Sequence, residues 1–337
     1  MQDMDARLRI SRTIAEHRLI DKGDRLVLGL SGGPDSLCLL YVLAGLRNKL
    51  GFELYALHLN HLMRGDDAEA DVAFLEKECA ALSVPLTVVR CDVYKKAEDD
   101  NTSPEEAGRK ARHEALQAKA EELRNDGSGL PAKIVFAHNR NDQAETVLMR
   151  MLRGTGIHGL AAMEFERSDG VIRPLLETPR SEIERFCTEN SLKPRFDSTN
   201  ASDDYTRNRL RHHLIPQLEA EYNPNLKDVL FRLSENARED DEYLLALAEA
   251  AFAELTLEKG EGFVKLDARK LRLQAPSIQK RVISRAFCSI GLTQDIASVH
   301  LNPLCRALNE NLGGRTIEFP SGYAALTSAR VLTLKKC

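Results

Sequence analysis

Short apolar runs and longer amphipathic segments alternate over the first half of the chain. The apolar runs end at glycine, proline or charged residues, which is typical of buried strands followed by turns. The longer segments carry apolar residues at helical spacing, which favours helices. The pattern predicts strands over 25–30, 54–59, 86–91 and 133–137, and helices that begin near 34, 66, 104 and 141. Strands that alternate with helices imply a parallel sheet with crossovers, so we predict an α/β, Rossmann-like fold.

The pattern changes after about residue 216. A long charged segment over 225–258 predicts a helix, and further helices follow over 278–288 and 296–311. The last residues form short alternating runs, RTIEF, GYAAL and RVLTL, which predict a small sheet. A length of 337 residues allows two domains. We therefore predict a parallel-sheet domain over 1–216 and a mostly helical domain with a small terminal β element over 217–337.

The composition is that of a packed protein from a reducing compartment. Hydrophobic residues make up 43% of the chain, which is too apolar for a disordered protein. The seven cysteines include no C-x-x-C pair, which argues against a zinc ribbon or a disulfide framework. The first residues carry neither a signal-peptide core nor a membrane span. We expect a cytoplasmic protein with no membrane partner.

The charge distribution restricts how nucleic acid can bind. A formal charge of −4 argues against non-specific coating of nucleic acid, because that mode needs many Lys and Arg residues on phosphates. The segment 205–213 nevertheless carries three arginines, two histidines and no acid, which favours a local RNA-binding face. On charge alone, an exposed helix with solvated arginines explains this segment equally well.

The sharpest chemical signal is the hexapeptide SGGPDS, which follows the first predicted strand and precedes a helix. Gly32 and Gly33 permit backbone angles that let N–H groups bind phosphate oxygens at the positive end of the helix. The lysine of the common P-loop is missing, and Asp35 is present instead. A carboxylate beside phosphates needs a cation between them, so Asp35 is a candidate Mg²⁺ ligand. The simpler alternative is a tight turn at the start of a helix.

This hexapeptide resembles the SGGxDS signature of the PP-loop ATP pyrophosphatases, which cleave ATP between its α and β phosphates. Other segments resemble the ordered motifs of the tRNA(Ile)-lysidine synthetase family: HLNHLMRGDDAEAD, residues 135–163, RPLL at 173–176 and residues 197–216. The resemblance covers residues 25–216 and is weaker beyond, where it is limited to helices followed by a small terminal sheet like the first C-terminal domain of the family. Longer members carry a further C-terminal domain. Two departures are that Gly108 and His113 replace the usual Ala and Tyr, and that Asn60 replaces an acid.

The resemblance implies a ligase that joins free L-lysine to C2 of the wobble cytidine of a CAU-anticodon tRNA(Ile). ATP, with Mg²⁺, first adenylylates the cytidine oxygen, and lysine then displaces AMP to give lysidine, which lets the tRNA read AUA codons. The implied partners are therefore tRNA(Ile) and L-lysine, with the 217–337 domain as a further tRNA contact. The sequence leaves open whether the protein is a homodimer.

The resemblance also assigns roles to individual residues. The ATP-binding residues are Ser31, Gly32, Gly33, Pro34, Asp35, Ser36, His58 and His61. The lysine-binding residues are His138, Asp142 and Glu145. The catalytic residues are Asp35, Arg109, Arg112, Asp142 and Glu145, and the tRNA-binding residues are Arg207, Arg209 and Arg211.

Spacing supports part of this assignment. Asp142 and Glu145 are three residues apart at a predicted helix start, so they share one side of the helix and can attract the lysine ammonium. Only about one free lysine in a few thousand has an unprotonated side-chain amine at neutral pH, so one of these acids is the expected proton acceptor. Arg109 and Arg112 have the same spacing and can stabilise charge on the α phosphate.

Each of these groups also has a structural explanation. Asp142 can cap its helix, and the two α-phosphate arginines can pair with Glu105 or Glu106 on the surface. His58 and His61 can be ordinary structural histidines. The arginines of 205–213 can instead reach the lysine carboxylate or the ATP phosphates.

Two other functions compete with this hypothesis. A tRNA 2-thiolase of the PP-loop type shares the phosphate loop, but such enzymes usually need paired cysteines, which this sequence lacks. A regulatory module that binds nucleotide without turnover explains the loop and the sheet. It does not explain acids and arginines that follow several separate strands.

Overall fold

The computed structural model describes residues 5–62, 66–195, 206–294 and 296–337. Parts of two sequence motifs, 63–65 and 197–205, lie outside the described residues. The chain separates into two compact units, Met1–Glu235 and Asn236–Cys337. No described helix is both long enough and apolar enough to cross a membrane.

The first unit is built around a parallel sheet of five strands in the order β3-β2-β1-β4-β5. Its strands are Arg25–Gly29 (β1), Glu53–Asn60 (β2), Leu86–Arg90 (β3), Ala132–Val135 (β4) and Val171–Ile172 (β5). The predicted α/β fold is confirmed, and the short β5 is a strand that the hydrophobic pattern did not predict.

Helices cover both faces of this sheet. The helices of this unit are Ala6–Glu16 (α1), Pro34–Leu50 (α2), Asp66–Ala81 (α3), Val93–Asp100 (α4), Pro104–Arg124 (α5), Arg140–Arg153 (α6), Ile157–Leu160 (α7), Arg180–Glu189 (α8), Thr206–Arg209 (α9) and Ile215–Glu221 (α10). Leu26 and Leu28 lie in the core that includes α2, whereas Val27 packs with α5 on the other face. The alternation of side chains along β1 therefore gives the sheet two buried faces.

The order of the strands defines where a ligand can bind. From β1 the chain moves to β2 and β3 on one side, and it then crosses to β4 on the other side of β1. In open parallel sheets, ligands bind at the carboxyl ends of the strands where the order reverses. The loops after β1 and β4 flank this point.

A π-helical turn, Leu210–Leu214, joins α9 to α10. The N–H of Ile215 donates to the carbonyl of Leu210, five residues earlier, and Pro216 has no N–H with which to continue the α-helical pattern. Leu210, Ile215 and Leu230 pack against Val147 of α6 and its neighbours. Because of this packing, the first unit continues through Glu235, further along the chain than the boundary expected at 216.

The second unit combines helices with an antiparallel sheet in the order β6-β7-β10-β9-β8. Its strands are Thr256–Gly260 (β6), Phe263–Asp267 (β7), Thr316–Phe319 (β8), Tyr323–Thr327 (β9) and Val331–Lys336 (β10). Its helices are Ala268–Arg272 (α12), Pro276–Cys288 (α13) and Ser298–Asn309 (α14), and they follow Leu226–Leu255 (α11), which begins in the first unit.

The expected helix over 225–258 is wrong at its end, because α11 stops at Leu255 and Thr256 begins a strand. The sequence TLEKGEGFVKLD alternates apolar and polar residues around a turn, and this favours a hairpin. Gly262 takes a positive φ of 72° in that turn.

Leu116 tests the packing of α5 against the sheet. Its side chain is fully buried beside Val27, and Leu116→Ala leaves a cavity there, so we expect the free energy of unfolding to fall by about 2–5 kcal/mol. Chemical denaturation measures this change. Leu152→Ala on α6, where the leucine is 63% exposed, is the control and should change it by less than about 0.5 kcal/mol. Equal effects of the two substitutions would contradict the packing.

Candidate active site

Ser31 and Ser36 form hydrogen bonds within the loop between β1 and α2. The N–H of Ser31 donates to Oγ of Ser36 at 3.2 Å, and Oγ of Ser36 donates to the carbonyl of Gly33 at 3.1 Å. Pro34 is the first residue of α2, a position where a missing N–H costs nothing. The hydroxyl of Ser36 thus holds the backbone of the loop at two points, Ser31 and Gly33.

Several backbone N–H groups of this loop remain available to a ligand. Those of Gly32, Asp35 and Ser36 donate to no group among the described residues, and that of Gly33 makes only a long contact of 3.4 Å to Oγ of Ser31. Unpaired N–H groups at the start of a 17-residue helix are a favourable site for an anion. The loop therefore has the donors that a phosphate group requires.

Gly32 is held by Arg195, a residue that sequence reasoning missed. The N–H of Arg195 donates to the carbonyl of Gly32 at 2.9 Å, and its Nε donates to Asp71 at 2.6 Å. Gly32 has a φ of 85°, which other residues adopt only with strain. A long-range contact of this kind leaves no periodic signal in the sequence.

Asp35 lies between the two loops that flank the strand reversal. Its Oδ1 accepts a hydrogen bond of 2.8 Å from Nδ2 of Asn139, and its Oδ2 is 3.9 Å from Nη1 of Arg180. Burial, and then the negative charge of Asp142, raise the pKa of Asp35 to about 6. This carboxylate lacks a strong cationic partner.

These residues fit a magnesium ion that is carried in with a nucleotide. The described residues contain no group of three or more His, Cys, Asp or Glu side chains that could hold a metal by themselves. Mg²⁺ commonly binds through one or two carboxylates together with substrate phosphates, so a single carboxylate beside an anion-binding loop suits it. Asp35 is the residue that would hold the ion.

Asn139 joins the phosphate loop to the start of α6. Its side-chain oxygen accepts from the N–H groups of Asn141 and Asp142, and its own N–H donates to Oδ2 of Asp142 at 2.9 Å. The sequence contains a signal for this capping box, namely an asparagine with an acid three residues later. The expected capping role of Asp142 is thus present, but it uses only one of the two carboxylate oxygens.

The other oxygen of Asp142 belongs to a cluster of four charges, which we call the charge cluster: Asp142, Glu145, Arg207 and Arg211. Arg207 donates to Oε2 of Glu145 at 2.9 Å and to Oδ1 of Asp142 at 3.0 Å. Arg211 donates to Oε1 and Oε2 of Glu145 at 2.6 and 2.8 Å, and to Oδ1 of Asp142 at 2.9 Å. Although burial opposes it, the arginines help to hold the pKa of Asp142 below its usual value.

The structure separates the three arginines that the sequence grouped together. Arg207 and Arg211 are four residues apart and reach the same two acids, whereas Arg209 is exposed and contacts Oγ1 of Thr206 at 3.4 Å. Their tRNA contacts stay a prediction. The alternative that some of them serve the small-molecule site fits Arg207 and Arg211.

His138 lies half-buried between β4 and α6. Its Nδ1 has no hydrogen-bond partner among the described residues. Burial lowers the pKa of His138 to about 4. The negative charge of Asp142 opposes this shift, and the positive charges of Arg173, Arg207 and Arg109 add to it. The imidazole is therefore neutral at pH 7, and its buried Nδ1 has no partner among the described residues.

Four other residues are predicted to act on the nucleotide: His58, His61, Arg109 and Arg112. Nδ1 of His58 is 2.8 Å from the carbonyl of Leu30, which suits the structural explanation for this buried residue. Nε2 of His61 is 3.3 Å from Nη2 of Arg112 on α5. Arg109 is exposed on the same helix and adds its charge near His138. The roles of these residues stay predictions.

Comparisons with known proteins show which family the chain resembles. Residues 4–218 match the family model described as PP-loop domain. A tRNA(Ile)-lysidine synthase from Clostridioides difficile is 38% identical over 87% of this chain and 64% of its own length. One from Caldanaerobacter subterraneus is 36% identical over 97% of this chain and 68% of its own length. The chain thus spans about two thirds of the length of these curated relatives.

A solved structure shares the fold. The U34-tRNA thiolase NcsA from Methanococcus maripaludis, with its [4Fe-4S] cluster, superposes with a TM-score of 0.56 at 20% identity. The match covers 69% of this chain and 78% of the thiolase. At this identity the likeness concerns the fold.

His138 makes stability depend on pH. The pKa of His138, about 4, lies below the usual 6.5, so the folded state favours the neutral ring. The resulting contribution to the free energy of unfolding is present above pH 6.5 and is lost as the pH falls towards 4. When the pH is lowered from 7.5 to 5.0, we expect the free energy of unfolding of the native protein to fall by on the order of 1 kcal/mol more than that of the His138→Gln variant. Denaturation at both pH values measures this difference. His158→Gln, which removes an exposed histidine, should keep the native pH dependence, and the same slope for His138→Gln would contradict the interpretation.

Proposed function

The chain belongs to the tRNA(Ile)-lysidine synthase family of PP-loop proteins, and from this premise we propose that it joins free L-lysine to C2 of the wobble cytidine of a CAU-anticodon tRNA(Ile) at the expense of ATP. The observation that carries the proposal is the contact between Asn139 and Asp35. It brings an anion-binding loop and a cluster of acids and arginines to one end of the sheet. A nucleotide and an amino acid can therefore bind side by side.

The nucleotide binds with its phosphates on the loop from Ser31 to Ser36. Asp35 would hold Mg²⁺, which would supply positive charge beside the phosphates. Arg109 and Arg112 extend from α5 and stabilise charge on the α phosphate as pyrophosphate leaves. The cytidine oxygen forms the bond to that phosphate.

The second step exchanges two bonds at C2 of the cytidine. The lysine side-chain nitrogen forms a bond to C2, and the bond from C2 to the adenylylated oxygen breaks, so that AMP leaves with the oxygen. The nitrogen releases its protons to the solvent or to a group of the site. Without prior adenylylation, the oxygen would have to leave as an oxide, which is a very poor leaving group.

Lysine binds at the charge cluster, beside His138. The sequence predicts that Asp142 or Glu145 accepts the lysine proton, but both acids accept several hydrogen bonds from arginines, and Asp142 has a lowered pKa. Carboxylates that are satisfied in this way are weak bases. We therefore assign Asp142 and Glu145 mainly to the binding of lysine.

The tRNA contacts fall to the exposed Arg209 and to the second unit. A guanidinium on the surface beside the site can bind backbone phosphate, while the wobble base enters the site itself. We also propose that the reaction takes place in the cytoplasm, as expected from the sequence.

A labelling assay tests the proposed reaction. The protein with ATP, Mg²⁺ and radiolabelled lysine should label a CAU-anticodon tRNA(Ile) transcript, and Asp35→Ala should reduce the rate at least about a hundredfold, because the loop loses its cation ligand. Asp99→Ala, which removes an exposed acid from α4, should keep the native rate.

Three outcomes would reject or redirect the assignment. Absence of label with the native protein, or incorporation of sulfur instead, would reject it. ATP binding without any formation of AMP would favour the regulatory module.

Arg209 tests the tRNA contact. Arg209→Ala should weaken tRNA binding and lower the slope of log K against log salt by about 1, since one phosphate contact is lost. Filter binding at several salt concentrations measures both changes. Arg12→Ala, which removes an exposed arginine from α1, is the control, and an unchanged slope for Arg209→Ala would remove this residue from the tRNA interface.

A further inference from the structure

We propose that His61 positions Arg112 for the first chemical step, and that Gly108 supplies the space which this contact requires. The inference rests on the proposed function, in which Arg112 stabilises charge on the α phosphate. It makes His61 a positioning residue that acts through Arg112, instead of a residue that binds ATP itself.

The contact between His61 and Arg112 has one possible direction. Nη2 of Arg112 lies 3.3 Å from Nε2 of His61. A guanidinium group has N–H donors and no acceptor, so the arginine donates and Nε2 of the histidine accepts. The imidazole is therefore neutral in this contact and carries its proton on Nδ1. The ring thus fixes the direction of one N–H of the guanidinium.

Gly108 lies one helical turn before Arg112, on the same side of α5. A Cβ at residue 108 would lie 3.2 Å from Cε1 and 3.3 Å from Nδ1 of His61. Cβ contacts this short are uncommon, so the ring would have to move by a few tenths of an ångström. Glycine is otherwise unfavourable within a helix. The imidazole, which occupies the space beside the glycine, explains why this position lacks a side chain.

The strand before His61 directs its side chain towards α5. Tyr55 and Leu57 of β2 pack in the same cluster as Leu116 of α5. Side chains alternate along a strand, so His61, which follows β2 directly, lies on the same face as these two residues. The histidine therefore reaches α5 from the sheet, at the end of the sheet where the phosphate loop lies.

Asn60 holds the turn that follows the histidine. Its Oδ1 accepts the N–H of Leu62 at 2.9 Å, and its Nδ2 donates to Oε1 of Glu69 at 3.1 Å. Leu62 has a φ of 56°, so the chain turns sharply directly after His61. An aspartate in place of the buried Asn60 could not donate to Glu69 and would bring two like charges together.

Asn60 and Gly108 are two positions at which the sequence departs from the family pattern. Both lie beside the same histidine: one fixes the turn next to it, and the other makes room for its ring. The two departures are thus parts of one arrangement, whose single contact towards the proposed chemistry is the hydrogen bond to Arg112.

Addition of one methyl group tests the inference. In single-turnover experiments with ATP, Mg²⁺ and tRNA but no lysine, Gly108→Ala should slow the release of pyrophosphate about tenfold at saturating ATP, because Arg112 is displaced from the α phosphate. The KM for ATP should stay within about twofold, since the lost interaction is made in the transition state. The Tm should not fall, because alanine favours a helix more than glycine does.

Gly45→Ala on α2 is the matched control. A Cβ at residue 45 would meet no atom within 4 Å, so this variant should keep the native rate and the native KM. A native rate in Gly108→Ala would overturn the inference.

Variants of His61 identify the route of the effect. If Gly108 acts through His61, the double variant should be as slow as His61→Ala alone, instead of a further tenfold slower. His61→Gln keeps an acceptor oxygen and should retain part of the rate that His61→Ala loses. If His61→Ala raises the KM for ATP and keeps the native rate at saturation, His61 binds ATP directly and the inference is wrong.

A spectrum of the free protein tests the contact without any reaction. In ¹⁵N spectra of histidine-labelled protein, the signals that disappear in His61→Gln belong to His61. They should show a protonated Nδ1 and an unprotonated Nε2, and they should shift in Gly108→Ala. A proton on Nε2 of the native ring would contradict the hydrogen bond from Arg112.

Failure of this inference differs from failure of the proposed function. If the native protein releases pyrophosphate and Gly108→Ala does so equally fast, only the positioning of Arg112 is wrong. If the native protein releases no pyrophosphate with tRNA, the proposed function fails, and the ¹⁵N spectra still decide whether His61 accepts from Arg112.

Discussion

One side-chain amide connects the two halves of the site. Nδ2 of Asn139 donates to Asp35 while its oxygen caps α6, so the same residue fixes the phosphate loop and the helix that carries Asp142 and Glu145. The contact spans the point where the strand order reverses, between β1 and β4. Ligands bind in this crevice in open sheets of this topology, and here Asn139 connects its two sides. A buried amide does this without adding charge.

Electrostatics divides the site into two parts with opposite needs. The pKa of Asp35 is raised to about 6 because burial and Asp142 act together and its cationic neighbours are weak. The pKa of Asp142 is lowered despite burial, because two arginines and the N–H of Asn139 stabilise its charge. One carboxylate therefore still needs a cation, whereas the other already has its partners. This difference matches a nucleotide-bound ion on one side and an exchangeable ligand on the other.

The π-helical turn at Leu210–Leu214 shows how local chain geometry serves the site. Arg207 and Arg211 precede and enter this turn, and Leu210 and Ile215 pack it against α6. π-helical bonds are rare and often accompany functional sites, because they reorient side chains within a helix. Here the turn lets apolar contacts fix the segment while its arginines stay half-exposed. Apolar packing and a half-exposed charged surface thus coexist within residues 207–215.

The sequence by itself determined the alternation of strands and helices, because buried runs such as 25–30 have a period that side-chain burial imposes locally. It also located the loop from Ser31 to Ser36 and the pair of acids on α6, since glycine angles and helical spacing are local properties. Only the tertiary structure decided that Arg195 holds Gly32, that Asn139 reaches Asp35, and that Arg207 and Arg211 but not Arg209 join the acids. These contacts join residues far apart in the chain, and their partners are chosen by packing between elements, which no local pattern records.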